Sequence, residues 1–187
     1  MQPRKAYTLL ELMCVLAIIA ITAAVAYPTI SGMYGHYRLR AAADGVRAGW
    51  VRARAQGVEQ GQRYRFAVVP GKGNYRIAPD SPEYWSGSLP QFDPDNPPLV
   101  LEDSLPNGIR FAMDKNTEPN QDGDSSLPVG EVESNQWVSA AFFEADGSAQ
   151  EDVEIAFHSP GNRPVILKLR AMTGIASVQL APVEGQR

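Results

Sequence analysis

One carboxylate is set apart by its surroundings. Glu11 lies in residues 7–27, a stretch of 21 residues with no other charge, and 12–27 is uncharged over 16 residues. A carboxylate in an apolar span costs about 2.5–3.5 kcal/mol even on a lenient insertion scale, so it needs a cationic partner or a place in the headgroup zone near a helix end. The other residue types that do chemistry form no constellation. His36 and His158 are far apart in sequence, and neither Ser148 nor Ser159 sits in a nucleophile elbow. There is no phosphate-binding loop and no paired metal motif. Residues 114–135 are dense in oxygen side chains, which raises calcium. A loop frame starting at Asp114 puts Pro119 where glycine is required, and one starting at Asn120 puts Ser125 there, so the segment reads as an acidic surface loop. The expectation is a protein without catalytic residues, metal or cofactor. Cys14 is the sole cysteine, so an intramolecular disulfide is impossible, which does not exclude the periplasm for a domain of this size.

These residues have to be positioned by an N-terminal helix. As a helix, 7–27 would be about 31 Å long, roughly a hydrocarbon core. Arg4 and Lys5 precede it, which keeps the N-terminus cytoplasmic and exports the rest. A cleavable signal peptide is the rival, with Ala24-Val25-Ala26 as its small-x-small site. Two features oppose it. The basic region is separated from the apolar run by the acid-bearing pentapeptide 7–11, and the chain beyond Ala26 continues as a helix pattern.

Lys5-Ala6-Tyr7-Thr8-Leu9-Leu10-Glu11-Leu12 resembles the cleavage site of type IV prepilins and pseudopilins. In that family a basic leader ends in Gly, followed by Phe or Met, Thr-Leu, Glu at the fifth mature position and an apolar helix. The resemblance implies that a prepilin peptidase cuts between Ala6 and Tyr7 and methylates the α-amine of Tyr7. It implies that Glu11 pairs with the N-terminal amine of a neighbouring subunit during assembly, each charge neutralising a partner that would be costly alone in lipid. Pro28, the twenty-second residue after that cut, falls where pilin helices carry a kinking proline. The chain departs from the family at Ala6, where Gly is usual, and at Tyr7, which replaces Phe.

From residue 29 to about 57 a second helical half is expected. Leu39, Ala43, Val46, Trp50 and Ala53 share one face, which would pack on the head. Arg40, Arg47 and Arg54 share another, with Asp44 in ion-pair reach of the first two, and read as a solvated face or a subunit contact. Gly57 and Gly61 would close the helix. The 15 prolines and 16 glycines point to many turns, hence to a strand-rich head. Strands are expected at 62–69 and 74–78 around Pro70-Gly71-Lys72-Gly73, then at 99–101, 109–113, 137–143, 153–157, 164–172 and 175–180, with turns at Asp146-Gly147 and Thr173-Gly174. Residues 79–98 read as a loop anchored by Tyr84, Trp85 and Phe92. The expected fold class is α+β: a long transmembrane and amphipathic helix packed on a small antiparallel β-sandwich head. The expected organisation is a leader at 1–6, a helix at 7–57 and a periplasmic head at 58–187, with a variable insertion at 79–135.

The ending resembles a family as well. Phe142-Phe143-Glu144-Ala145-Asp146-Gly147-Ser148, then a strand, then 165–169 and Thr173-Gly174-Ile175-Ala176-Ser177-Val178, is similar to the C-terminal half of the H-type minor pseudopilins of type II secretion (GspH), relatives of the FimT-type minor pilins. The resemblance implies a structural subunit of the inner membrane whose partners are other pseudopilins or pilins, the prepilin peptidase and secreted cargo. The FimT-type alternative, pilus biogenesis or DNA uptake, needs a cationic head. Residues 1–57 carry seven Lys/Arg against two Asp/Glu, but 58–187 carry ten against nineteen, a balance of −9 that argues against nucleic acid.

Overall fold

Residues Leu9–Gln60 form a single helix, α1, in a computed structural model that describes residues 9–86, 97–112 and 127–182, without the side chains of 25–33. Its end follows from glycine chemistry. Gly61 takes a left-handed φ of 64°, and the Gln62 N–H bonds back to the Gly57 carbonyl at 3.1 Å. This is a Schellman closure, in which a residue just past the last turn reverses hand and satisfies orphan carbonyls. Gly57 therefore does not stop the helix, as the sequence led us to expect. It supplies the closing carbonyl, and a Cβ there would sit 3.1 Å from the Gln62 carbonyl oxygen. The chain divides into two compact units, Met1–Tyr37 and Arg38–Arg187.

The second unit begins inside α1 and contains both sheets. The first sheet has the order β3-β2-β1-β5: β1 is Tyr64–Val68, β2 Asn74–Pro79, β3 Leu101–Ser104 and β5 Val138–Phe143. The second has the order β4-β6-β7-β8: β4 is Arg110–Ala112, β6 Val153–His158, β7 Val165–Leu169 and β8 Ala176–Leu180. Every pairing is antiparallel. Short turns at Pro70–Gly73 and Thr173-Gly174 make the β1–β2 and β7–β8 pairings local, as the turn residues predict, whereas the turn at Asp146-Gly147 carries the chain from the first sheet to the second.

One hydrophobic core joins the helix to both sheets. Leu39, Ala43, Val46, Trp50 and Ala53 are fully or almost fully buried, so the face read from their spacing is the face that packs. Trp50 meets Phe66 of β1 and Phe143 of β5 edge-on, at 5.3 and 5.9 Å between ring centroids. Phe66 meets Phe111 of β4 at 6.3 Å, and Phe111 meets Phe157 of β6 at 5.3 Å. This relay of rings runs from helix to first sheet to second sheet, edge-to-face as the ring quadrupoles favour except for the tilted Phe111–Phe157 step. The principal core lies wholly within Arg38–Arg187. That unit therefore has what a domain needs to fold alone.

Other features differ from the sequence reading as well. β3 lies two residues later than expected. The aromatic loop contains a one-turn helix, α2 (Pro82–Trp85), which buries Tyr84 and donates the Trp85 indole N–H to the Pro79 carbonyl at 2.8 Å. And Asn74, a buried polar side chain, acts as a stub of backbone. Its amide donates to the Leu127 carbonyl at 2.7 Å and accepts from the Leu127 N–H at 2.8 Å, pinning the chain at 127 beside β2. Phe92 and the oxygen-rich stretch 114–126 lie outside the described residues.

Candidate assembly helix and the clamp on the head

Within the first unit, Glu11 lies in the first turn of α1 and is exposed. Ala6 and Tyr7 lie outside the described residues, and Pro28 falls within the span of α1. All of residues 9–24 are exposed. Nine large apolar side chains among them, from Leu9 to Ile21, are between 50% and 79% exposed on every side of the helix. A helix apolar all round has no face for water. The Thr22 hydroxyl lies 3.0 Å from the Ile18 carbonyl and 2.9 Å from that of Ile19, so its polar hydrogen is satisfied inside the helix. Among the described residues no helix is long and apolar enough to cross a membrane. Side chains of the expected span are described only for 9–24, about 24 Å of helix at the α-helical rise. Cys14 is exposed on the same segment.

Within the second unit, the two turns singled out in the sequence meet. Arg54 of α1 donates its Nε–H to the Gly147 carbonyl at 2.6 Å. Gly147 has φ 83° and Gly174 has φ 60°. A Cβ built on Gly174 would fall far inside contact distance of the Gly147 carbonyl oxygen and 2.8 Å from Arg54 Nε. The Arg54 bond fastens the helix to the turn between β5 and β6, and the turn between β7 and β8 packs so close to that point that only glycine fits at 174. Asp146 holds the first turn: it accepts the Ser148 N–H at 2.8 Å and the Ser148 hydroxyl at 2.6 Å. Those two bonds stabilise the carboxylate and lower its pKa. The sequence placed Arg54 with Arg40 and Arg47 in a basic row read as a solvated face or a subunit contact. The structure leaves Arg40 and Arg47 exposed, with Arg47 3.3 Å from Asp44, and gives Arg54 this separate task.

The outer face of the first sheet carries an ordered stack of cations and rings. The Arg63 guanidinium sits 4.2 Å from the centre of the Phe142 ring, and that of Arg65 4.7 Å from the Trp85 ring. Arg65 binds Asp80 with Nε at 2.7 Å and also through its Nη2. Arg63 lies 3.4 Å from Asp80 and 3.3 Å from Glu144, and Arg76 lies 3.8 Å from Glu102. On the second sheet Lys168 pairs with Glu154 at 2.7 Å. These cations face acids of this same chain. On β2, burial and the Asp103 carboxylate push the Tyr75 hydroxyl up to about 12. Among the described residues no group of three or more His, Cys, Asp or Glu could hold a metal ion.

Residues 1–27 match the family model of the prokaryotic N-terminal methylation motif. No curated protein sequence matches the chain. Two solved structures of the minor pseudopilin EpsH, from the type II secretion system of Vibrio cholerae, are similar to it. One has a TM-score of 0.48 at 8% identity and covers 80% of this chain and 99% of that one. The other has a TM-score of 0.47 at 11% identity and covers 81% and 99%. The chain thus joins a prepilin-type N-terminal methylation motif to an α+β body of one long helix and two antiparallel sheets.

Proposed function

We propose that this protein is a minor pseudopilin, a structural and assembly subunit of a type II secretion pseudopilus. In this reading a prepilin peptidase cleaves between Ala6 and Tyr7 and methylates the Tyr7 amine. Before assembly the helix waits in the inner membrane, N-terminus cytoplasmic, with the sheets in the periplasm. On assembly Glu11 meets the Tyr7 amine of a neighbouring subunit, and Pro28 bends the helix so that neighbours pack. The observation that carries this reading is the methylation motif at 1–27. The exposed apolar surface of 9–24 with one acid in the first turn supports it, because that surface needs lipid or other helices to cover it.

The FimT-type alternative, a minor type IV pilin in pilus biogenesis or DNA uptake, shares the same helix and processing. Its DNA-binding form fares worse because Arg63, Arg65, Arg76, Lys168 and Arg170 each face an acid of this chain, which lowers the field available to phosphates.

The test is mass spectrometry of the mature N-terminus after co-expression with a prepilin peptidase. The expected product begins with N-methyl-Tyr7. A product beginning at Tyr27, the mark of an ordinary signal peptide, overturns the reading.

A further inference from the structure

The two sheets end in four edges, and three of them are blunted. β3 has four residues and carries Glu102 and Asp103, with Glu102 also accepting the Gly130 N–H at 2.7 Å. β4 has three residues and begins with Arg110. β5 is bridged at its end by Phe143 and Ala149, with a further bond from the Gln150 N–H to the Phe142 carbonyl. Short strands, charges and local cover are the usual defences of a sheet edge.

Among the described residues β8 has none of these defences. It has five residues, no charge and no proline, and among the described residues its only strand neighbour is β7. The direction of its backbone groups can be read. Ile175 accepts the Arg170 N–H at 3.1 Å, and the Ala181 N–H donates to Pro164 at 3.0 Å. Bonding direction alternates along an antiparallel strand, so Ala176, Val178 and Leu180 aim their N–H and C=O groups at the open side. Their side chains lie on the core face: Ala176 and Val178 pack against the core, while Leu180 is still 46% exposed. Ser177 and Gln179 occupy the outer face and are exposed. Ile175, beside the strand, is 59% exposed.

A strand that fits this edge must be uncharged, extended, and alternate apolar with polar in the same phase. β8 itself meets each condition. We propose that β8 is the docking edge for a second copy of this chain, the two β8 strands pairing antiparallel about Val178. In that register Val178 faces the Val178 of the second copy, and Ala176 faces its Leu180. All of these residues have outward backbone groups, so each pair exchanges two hydrogen bonds, about six in all. The apolar side chains of both strands fall on one face and Ser177 lies opposite Gln179 on the other. A slip of one residue would set apolar against polar along the whole strand, so the pattern selects this register. The pairing would join two four-stranded sheets into one continuous sheet. It involves the second unit alone and does not depend on the N-terminal motif.

Sedimentation equilibrium of residues 38–187, whose core is closed, tests this. The wild-type unit is expected to dimerise below about 1 mM, the weak end of specific association. Ser177→Lys with Gln179→Lys sets like charges directly opposite at exposed positions, and dimer should be lost. Ser177→Lys with Gln179→Glu sets opposite charges across the axis, and the dimer should return, with a dissociation constant at least about tenfold below that of the double-lysine variant at low salt. Circular dichroism should show both variants folded, since neither side chain is buried. A wild-type unit that stays monomeric to about 1 mM overturns the proposal. So does a dimer indifferent to the double lysine, or one that the lysine–glutamate pair leaves broken.

Discussion

Replacing Gly174 by alanine should loosen the whole second unit. Two costs add. Gly174 has φ 60°, and an L-residue held there loses roughly 1–2 kcal/mol to the clash of its own Cβ with the backbone. The new Cβ also collides with the Gly147 carbonyl oxygen and approaches Arg54 Nε to 2.8 Å, so the turn must move away from Arg54. That puts at risk the hydrogen bond from Arg54 to Gly147, a bond to a charged donor worth about 1.5–3 kcal/mol. The sum is about 2.5–5 kcal/mol, a large share of the stability of a typical domain. For a unit of this size it corresponds to a fall in Tm of roughly 10 °C. Gly161 supplies the control. It has φ 72° and nothing within 4 Å of its Cβ position, so Gly161→Ala carries the backbone cost without the collision. Thermal and urea denaturation of residues 38–187 would compare the two. If Gly174→Ala loses no more stability than Gly161→Ala, the three-way clamp is not a source of stability and the reasoning fails.

Other outcomes follow from the same geometry. Gly45 has open space around its Cβ position, so Gly45→Ala should stabilise the unit by about 0.5–1 kcal/mol through helix propensity; at Gly49 a Cβ would lie 2.9 Å from Ile77 Cδ1, and much of that gain should vanish. Urea titrations of the two variants give the comparison. The Tyr75 hydroxyl is raised from 10.0 to about 12, so the folded state holds its proton more tightly than the unfolded chain. That contribution is intact below pH 10 and declines between pH 10 and about 12, by about 2–3 kcal/mol; Tyr75→Phe should flatten the decline in alkaline denaturation curves. In the full chain, Glu11→Ala should insert and be cleaved normally yet fail to enter filaments, as read by shearing and immunoblot, whereas normal incorporation would remove Glu11 from assembly.

The legible parts of this structure are those in which neighbours in sequence remain neighbours in space. The buried face of α1 from Leu39 to Ala53 was readable because a period of 3.6 is a local property. The hairpins β1–β2 and β7–β8 were readable because glycine marks their turns. β3 was misplaced by two residues. None of its residues is buried and three of the four are intermediate, so no buried–exposed alternation fixes its limits. Arg54 and Asn74 were missed for a different reason. Arg54 bonds to a carbonyl 93 positions away and Asn74 to backbone 53 positions away. Every residue has a carbonyl, so a side chain that seeks one leaves no complementary residue to recognise. The signals that existed were indirect: a glycine at 174, whose purpose appears only once Gly147 is beside it, and an asparagine opening a strand.

The two units put opposite demands on one helix sequence. From Leu39 to Ala53 the helix is apolar on one stripe, and its own sheets cover that stripe. From Leu9 to Ile21 it is apolar on all sides, and those side chains are exposed. Covering nine such side chains is worth on the order of 10 kcal/mol, comparable with the net stability of a whole domain. An imbalance that large requires lipid or other helices to supply the cover. In the proposed assembly a neighbouring chain would supply that cover and bring an α-amine to the depth of Glu11, and a carboxylate and an amine that meet in lipid would offset the cost each carries there.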